Sequence, residues 1–381
     1  MFIKLSFQLK TITLFIAILQ LISHHTVQSL SILNPTKKNA KVDFNNSFSL
    51  SKKSTALDVL NNLNKSSRLA TYVKGKANKR QPIAIVTGGS SGIGIPSVET
   101  LALSGMKVVL CARNVTAAEK TIKAETPLSL QPKIRIQELD LSDMSSIQAA
   151  VEEIVQNECK GEDFDGGIDV LLNNAGVMAP PKRLSTAQGL ELQFGTNHVG
   201  HHMLTRLLLP YVQNDGRIVT VASSAHSFGS LDFSNLNFDE GDDTSRQYSA
   251  WGAYGQSKLA NVLFAKSLDD KLKEAGSDIM SVSLHPGVIG TNLWRYSPKW
   301  TRPLLNAVVA DRNVQQGAAT NVFCSLVESS TFKGGEYVSD CEITEPSSRG
   351  KDEGGTLRKK LWDATELLIT ENGYELPEDL Y

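Results

Sequence analysis

The sequence predicts an α/β fold, a doubly wound parallel sheet with helices on both faces in a single catalytic domain, and three observations predict it. Apolar, β-branched runs recur at 83–86, 107–111, 134–139, 170–172, 218–221 and 280–284. Segments long enough for a helix separate them, the alternation that crossover-linked parallel strands require. A glycine-rich turn, TGGSSGIG, follows the first run directly. In such a sheet the carboxyl ends of the strands line one edge and ligands bind there, so residues just past each run are the candidate site residues.

Composition sets the class. At 381 residues, 41% hydrophobic and 21% charged, with a formal net charge of −1, the chain reads as a soluble globular protein, and no nucleic-acid partner is expected. Cys111, Cys159, Cys324 and Cys341 lie far apart with no CxxC pair, which suggests neither a zinc site nor a disulfide framework.

Charge divides the chain. Residues 1–80 hold 13 Lys and Arg against Asp43 and Asp58, a net of +11, while the other 301 residues carry 26 against 38, a net of −12. Lys4 and Lys10 precede the apolar stretch TITLFIAILQLI at 11–22, which is shorter than the roughly 18 residues of a membrane span. Residues 1–29 are therefore expected to be a signal peptide, with small residues near Val27-Gln28-Ser29 for cleavage. Taking 5–22 as one stretch keeps a membrane-associated signal anchor open.

Residues 30–80, rich in Ser, Asn and Lys, have the composition of a transit-like segment or a basic linker. The two segments together resemble the bipartite leader of proteins imported into plastids with extra membranes, except that Leu30 stands where a Phe often follows cleavage. The expected destination is the secretory pathway and then a plastid, with the endoplasmic reticulum, lumenal or membrane-anchored, as the alternative. Residues 81–370 are expected to form the catalytic domain and 371–381 a C-terminal tail.

Within the domain, Gly88, Gly92 and Gly94 let the chain turn tightly, bring backbone close to a pyrophosphate and leave the N–H groups of the next helix free to bind it. Their spacing, Gly-x-x-x-Gly-x-Gly, departs from the usual Gly-x-Gly-x-x-Gly, but the position after the first strand points to a Rossmann-type dinucleotide site. Pro96 falls in the first turns of the following helix, where proline is tolerated only near the N-terminus. The second run ends in Cys-Ala-Arg-Asn, with Arg113 and no acid from 107 to 116. A guanidinium can pair with a 2′-phosphate and has no comparable partner on a bare ribose, so NADP(H) is expected over NAD(H).

Four motifs in one order, TGGSSGIG, Asp140-Leu141, Asn173-Asn174-Ala175-Gly176 and Tyr254-x-x-x-Lys258, resemble the short-chain dehydrogenase/reductase family. NNAGVMAPP, FGTNHVGHHMLTRLLLP, RIVTVASSAHSFG, AYGQSKLANVLFA and HPGVIGTNL are similar to the branch of retinol dehydrogenases and WW-domain-containing oxidoreductases, over about 82–368.

The resemblance implies roles. Tyr254 would be the proton donor or acceptor. A free phenol titrates near about 10, and Lys258, one turn along the same helical face, would favour phenolate and hold the nicotinamide ribose. Ser224, in preference to Ser223, would hold the substrate oxygen. Asn197 would hold a water that relays protons from Lys258. Thr87, Gly88, Ser91, Gly92, Ile93, Gly94, Asp140, Leu141, Asn174, Ala175 and Gly176 match cofactor positions, and Pro286, Gly287, Val288 and Thr291 would face the nicotinamide. No metal is expected, since no carboxylate or cysteine cluster accompanies His198, His201 and His202.

The implied function is NADP(H)-dependent interconversion of a carbonyl and an alcohol on an apolar molecule resembling a retinoid, a steroid or a pigment precursor. A loop at 228–251 would form one substrate wall and 293–309, with Trp294, Tyr296, Trp300 and Leu304, a second; that composition fits an oligomer interface equally. Two alternatives stand: a protochlorophyllide-reductase-like plastid enzyme, although no cysteine lies near the catalytic segments, and a non-catalytic NADP-sensing module. The resemblance also implies a homodimer or homotetramer.

Overall fold

All six predicted strands form, and the chain adds two more. A computed structural model describes residues 50–74, 80–160, 167–239, 247–289 and 311–378, so the expectations for 1–49 lie outside the described residues. The strands are β1 (Ile83–Thr87), β2 (Lys107–Ala112), β3 (Ile134–Glu138), β4 (Ile168–Asn173), β5 (Val212–Val221), β6 (Met280–His285), β7 (Tyr337–Ser339) and β8 (Glu342–Thr344). They form one sheet in the order β3-β2-β1-β4-β5-β6-β7-β8. All neighbours are parallel except the β7–β8 pair. The order reverses between β1 and β4, and that crevice is where open α/β sheets bind ligands.

The helices used below are α1 (Ala56–Lys65), α2 (Gly94–Leu103), α3 (Val115–Glu125), α4 (Met144–Glu158), α5 (Gly200–Leu208), α6 (Ala250–Glu274), α7 (Val314–Leu326) and α8 (Thr356–Glu371). The strands read as apolar runs because both faces are covered. Ala84, Val86, Val108, Leu110, Val170 and Leu172 pack with α1, α2 and α7 on one face. Ile83, Ile85, Val109, Leu171 and Ile218 pack with α4, α5, α6 and α8 on the other. The period of two is intact: β1 and the centres of β2 and β4 are apolar on both sides, whereas β3 alternates Ile134 and Ile136 with Arg135 and Gln137, and β6 alternates Val282 and Leu284 with Ser281 and Ser283.

Three boundaries differ from the sequence reading. Residues 50–74 are part of the domain, not a linker. Ala56, Val59, Leu60 and Leu63 form a helical stripe that is buried, the Thr55–Asp58 capping box starts the helix, and Arg68 pairs with Glu328 at 2.9 Å. The Tyr72 hydroxyl donates to the Ser325 carbonyl at the end of α7. The tail is also held: Arg206 Nη2 donates to Pro377 O at 2.7 Å, and Tyr374 and Leu376 pack against the core. The β7–β8 hairpin went unpredicted because its two-residue turn, Asp340–Cys341, adopts φ of 57° and 62° without the glycine or asparagine that normally announces such a turn. Pro96 is the third residue of α2, where its missing N–H would have had no helical partner.

Candidate active site

The nucleotide turn and the turn after β4 are built as one unit at the β1/β4 crevice. Thr87 ends β1, and its Oγ1 accepts the N–H groups of Asn174 at 2.9 Å and Ala175 at 3.0 Å. Asn174 Nδ2 returns a bond to Thr87 O at 2.8 Å, and its Oδ1 accepts from Asn321 on α7 at 3.2 Å. Gly88, at φ +64°, is needed because a Cβ there would lie 2.9 Å from Ala175 Cα. A Cβ on Gly94 would lie 2.3 Å from Gly88 O.

The residues present fit a dinucleotide. Gly92 also has φ above zero, Ser91 is exposed beside it, and Ile93 stands at the N-cap of α2 without a side-chain cap bond. In the first turn of α2, Gly94 N already donates to Ser91 O at 3.0 Å and Pro96 has no N–H, which leaves the Ile95 N–H at the helix start for a phosphate. At the end of β2, Arg113 is exposed, while the Asn114 side chain caps α3 through Ala117 N at 2.9 Å. Asp140 Oδ1 accepts from Ser142 N at 2.9 Å and Oγ at 2.6 Å, fixing the turn after β3. Leu141 is buried, with its carbonyl against Gly200, where a Cβ would come within 2.4 Å.

The proton-transfer candidates converge from α6 and α5. Tyr254 and Lys258 are 6% and 3% exposed on one face of α6, which Ser249 caps through Gly252 N at 3.3 Å. Asn197 lies in a π turn, Gly195–Val199, ahead of α5. Its Nδ2 donates to Val177 O at 2.9 Å and Ser257 Oγ at 3.0 Å, and its Oδ1 accepts from Val177 N at 2.8 Å. A Cβ on Gly176 would lie 3.3 Å from Asn197 Oδ1 and 3.7 Å from Lys258 Nζ, so this glycine sits where the two side chains approach each other.

Electrostatics differ from the sequence expectation. Burial pushes the Tyr254 phenol up to about 12, opposed by a bond with the Ser223 side chain. Burial pushes Lys258 down to about 7. Desolvation disfavours the charged form of both groups and is the largest cause of each shift. The ammonium, 5.9 Å from the centre of the Tyr254 ring, donates instead to Val221 O at 2.9 Å.

The serine assignment also shifts by one residue. Ser223, extended at φ −163° and ψ 157°, caps the short turn Ser224–Phe228, and its side chain is the one bonded to the phenol. Ser224 already belongs to that turn: its N–H donates to His285 Nδ1 at 3.3 Å and its carbonyl accepts from Ser227 Oγ at 2.8 Å. Val221 ends β5 as the sequence run indicates, and of the two serines that follow it is Ser223 whose side chain is turned to the phenol.

Past β6, Gly287 adopts φ +90°, and a Cβ there would lie 2.4 Å from Arg312 Nε. Arg312 bonds Pro286 O at 3.4 Å and pairs with Asp340. Val288 exchanges two bonds with Asp311, each 3.0 Å. Val288 also packs with Met178, Ala179, Ala225, Phe228 and Trp251 around Tyr254, giving the phenol an apolar surround. Trp251 meets the Tyr254 ring edge-on at 6.1 Å. Thr291, Trp294, Tyr296, Trp300 and Leu304 lie outside the described residues, as do 240–246 of the loop at 228–251.

The histidine cluster has other employment. His201 bonds Thr87 and Asn197, His198 Nε2 meets Thr365 Oγ1 on α8 at 3.0 Å, and His202 packs on Trp362 at 4.6 Å. Among the described residues no group of three or more His, Cys, Asp or Glu is placed to hold a metal. Sequence reasoning passed over Ser257, Arg312 and Asn321, and it gave His201 a counterpart in the family pattern without a role.

Known proteins share this fold and family. The family model for short chain dehydrogenases matches residues 82–235. The chain is 38% identical over 296 residues to Short-chain dehydrogenase TIC 32 B, chloroplastic, of Brassica napus, covering 75% of this chain and 88% of that protein. It is 35% identical over 287 residues to Retinol dehydrogenase 11 of Mus musculus, covering 74% and 84% respectively. A solved structure of an uncharacterized protein of Mycobacterium paratuberculosis superposes with a TM-score of 0.62 at 30% identity, over 82% of this chain and 98% of that one.

Proposed function

We propose that this chain, which belongs to the short-chain dehydrogenase/reductase family and to its retinol-dehydrogenase branch, interconverts a carbonyl and an alcohol on an apolar small molecule using NADP(H). The observation that carries the reading is the convergence of Ser223, Tyr254 and Lys258 beside an apolar cluster of Met178, Phe228, Trp251 and Val288. When bound, the nicotinamide supplies or accepts the hydride. Everything else falls to the chain's own residues.

Thr87, Gly88, Gly92, Gly94 and the α2 N-terminus hold the pyrophosphate end, and Asn174, Ala175 and Gly176 flank the path toward Lys258. Arg113, exposed at the end of β2 with no acid nearby in sequence, supports NADP(H). In reduction, the protonated Tyr254 phenol donates to the carbonyl oxygen while the Ser223 hydroxyl steadies the charge that develops there. Lys258 gains a partner as phenolate forms, and Asn197 lies next to Lys258 on the route by which a proton returns. Met178, Phe228, Trp251 and Val288 exclude water and favour an apolar substrate.

The cysteines support this reading over a thiol-dependent one. Cys111, Cys324 and Cys341 are buried in the core with their thiols pushed up, and Cys159 ends α4. A plastid address is part of the proposal, supported by the basic leader and by a relative named chloroplastic; an endoplasmic-reticulum address is the competing reading. Among the described residues no helix is long and apolar enough to cross a membrane.

The deciding experiment follows NADPH oxidation across a panel of apolar aldehydes and ketones, with wild type and Tyr254→Phe. Turnover in the wild type that disappears in the variant supports the assignment. Turnover that survives the substitution refutes it.

A further inference from the structure

His201 stands between two parts of the site that lie far apart in sequence. It is 1% exposed, with Nε2 2.8 Å from Thr87 Oγ1 and Nδ1 3.0 Å from the Asn197 carbonyl oxygen. A carbonyl can only accept, so Nδ1 carries the proton of the neutral ring and Nε2 is left as an acceptor. The Thr87 hydroxyl must then donate to Nε2. Its oxygen is free to take the N–H groups of Asn174 and Ala175, and it does so at 2.9 and 3.0 Å.

The chain of bonds therefore has one polarity from Asn174 and Ala175 through Thr87 to Nε2, while Nδ1 donates onward to Asn197. The opposite tautomer would set acceptor against acceptor at Asn197 and turn the Thr87 hydroxyl to its other acceptor, Leu172 O, at 3.4 Å. Burial holds the imidazole down to about 4, and the nearby Lys258 charge acts in the same direction. Asn197 needs such external support, because it lies in a π turn, whose register departs from that of the regular α-helix ahead of α5. Its side chain is occupied by Val177 and Ser257.

We propose that His201 is a positioning residue that, as a neutral imidazole protonated on Nδ1, ties the turn carrying Asn197 to the Thr87 floor of the cofactor site. The proposal rests on the functional reading above for the roles of Thr87 and Asn197, but the bond pattern itself does not. Through Nδ1 the imidazole fixes the proton-relay residue, and through Nε2 it fixes the hydroxyl on which the Asn174-Ala175 turn is hung. Two functions that could drift independently are thereby held in one register.

Two substitutions separate the halves. Asparagine places an amide N–H near the position of Nδ1, and glutamine places an amide oxygen near the position of Nε2. The experiment measures the NADPH dissociation constant and single-turnover NADPH oxidation with an apolar aldehyde for wild type, His201→Asn, His201→Gln and His201→Phe. His201→Asn is expected to weaken NADPH about 5-fold and His201→Gln to slow the rate about 5-fold, the scale of one lost hydrogen bond, with His201→Phe showing both defects. Equal behaviour of the Asn and Gln variants overturns the proposal.

The imidazole tautomer, read from long-range proton–nitrogen spectra and assigned by its absence in His201→Asn, gives a readout that does not depend on turnover. A ring protonated on Nδ1 upholds the bond pattern, and one protonated on Nε2 overturns it. A wild type that binds no NADPH would instead refute the functional reading, while the tautomer would still decide the question for His201.

Discussion

Lys258 holds its ammonium 5.9 Å from the centre of the Tyr254 ring while giving its hydrogen bond to the Val221 carbonyl at 2.9 Å. The phenol, pushed up to about 12, is thus protonated at neutral pH. Reduction finds its proton donor in place, whereas oxidation must first ionise the phenol. The oxidation rate is expected to climb with pH, by up to about tenfold per unit below the phenol's pKa, while reduction, with the phenol protonated throughout, changes only as Lys258 titrates near about 7. Parallel profiles in both directions, measured at saturating NADP+ and NADPH, would count against this resting state.

The serine pair gives a sharper test. Because Ser223 is bonded to the phenol and Ser224 sits in the turn beyond it, Ser223→Ala should lower kcat by about 100-fold, the scale of one lost oxyanion-type donor. Ser224→Ala should change kcat by less than about threefold, since its backbone N–H and carbonyl make the recorded bonds. The reverse order would restore the sequence expectation.

Arg113 decides between the two nicotinamide cofactors. Replacing it with alanine removes the guanidinium while leaving the Asn114 cap of α3 in place. The ratio of kcat/KM with NADPH to that with NADH is expected to fall by about tenfold or more, the worth of a charge-assisted phosphate contact. An unchanged ratio would remove Arg113 from the cofactor site.

Acid stability follows from the buried imidazoles. His198, His201, His202, His226 and His285 are all held below the ordinary value chiefly by burial, with His201 near about 4 and His285 near about 3. As pH falls below about 6.5 the unfolded chain takes up protons before the folded one does, so stability is complete above that value and is lost on the way down. Each such group contributes about 1.4 kcal/mol per pH unit in that window, and Glu366, 3.5 Å from His202, offsets part of that group's share. The urea midpoint should therefore drop steeply between about pH 7 and about pH 5, before most carboxylates titrate.

Truncation tests the boundary ahead of β1. A chain starting at residue 50 keeps α1, whereas one starting at residue 75 loses Ala56, Val59, Leu60, Leu63 and Tyr72 from the core. Five buried side chains at about 1.5–3 kcal/mol each for the larger ones rival the net stability of a domain. Thermal unfolding should leave the first truncation near the full chain and lower the midpoint of the second by about 10 °C or more. Equal midpoints would return 50–74 to the status of a linker.

Much of this architecture was legible in the sequence. The six strands announce themselves, the central ones as apolar runs because both faces are covered and β3 and β6 by alternation, and glycines at 88 and 94 stand where a Cβ would strike Ala175 or Gly88. What was missed has local causes. The stripe of α1 and its Thr55–Asp58 cap were present in the letters but lay inside a basic, serine-rich stretch whose composition pointed elsewhere. β7 and β8 are three residues each and turn through Asp340–Cys341 without a turn signature. Choosing between Ser223 and Ser224 required the backbone after β5, where Ser223 is still extended and Ser224 already begins the turn, a one-residue difference that leaves no trace in hydropathy.

The π turn at Gly195–Val199 has a consequence for how this region tolerates change. Asn197 and His201 face the Thr87 side, while His198, His202 and Arg206 engage Thr365, Trp362 and Glu366 of α8. Each residue of an α-helix turns the chain by about 100°. Deleting or inserting one residue in this turn would rotate everything after it by that angle, sending the partners of α8 toward the nucleotide and those of the nucleotide toward α8. Length, more than chemical identity, is the quantity that this short stretch must conserve for both sides of the helix to keep their neighbours.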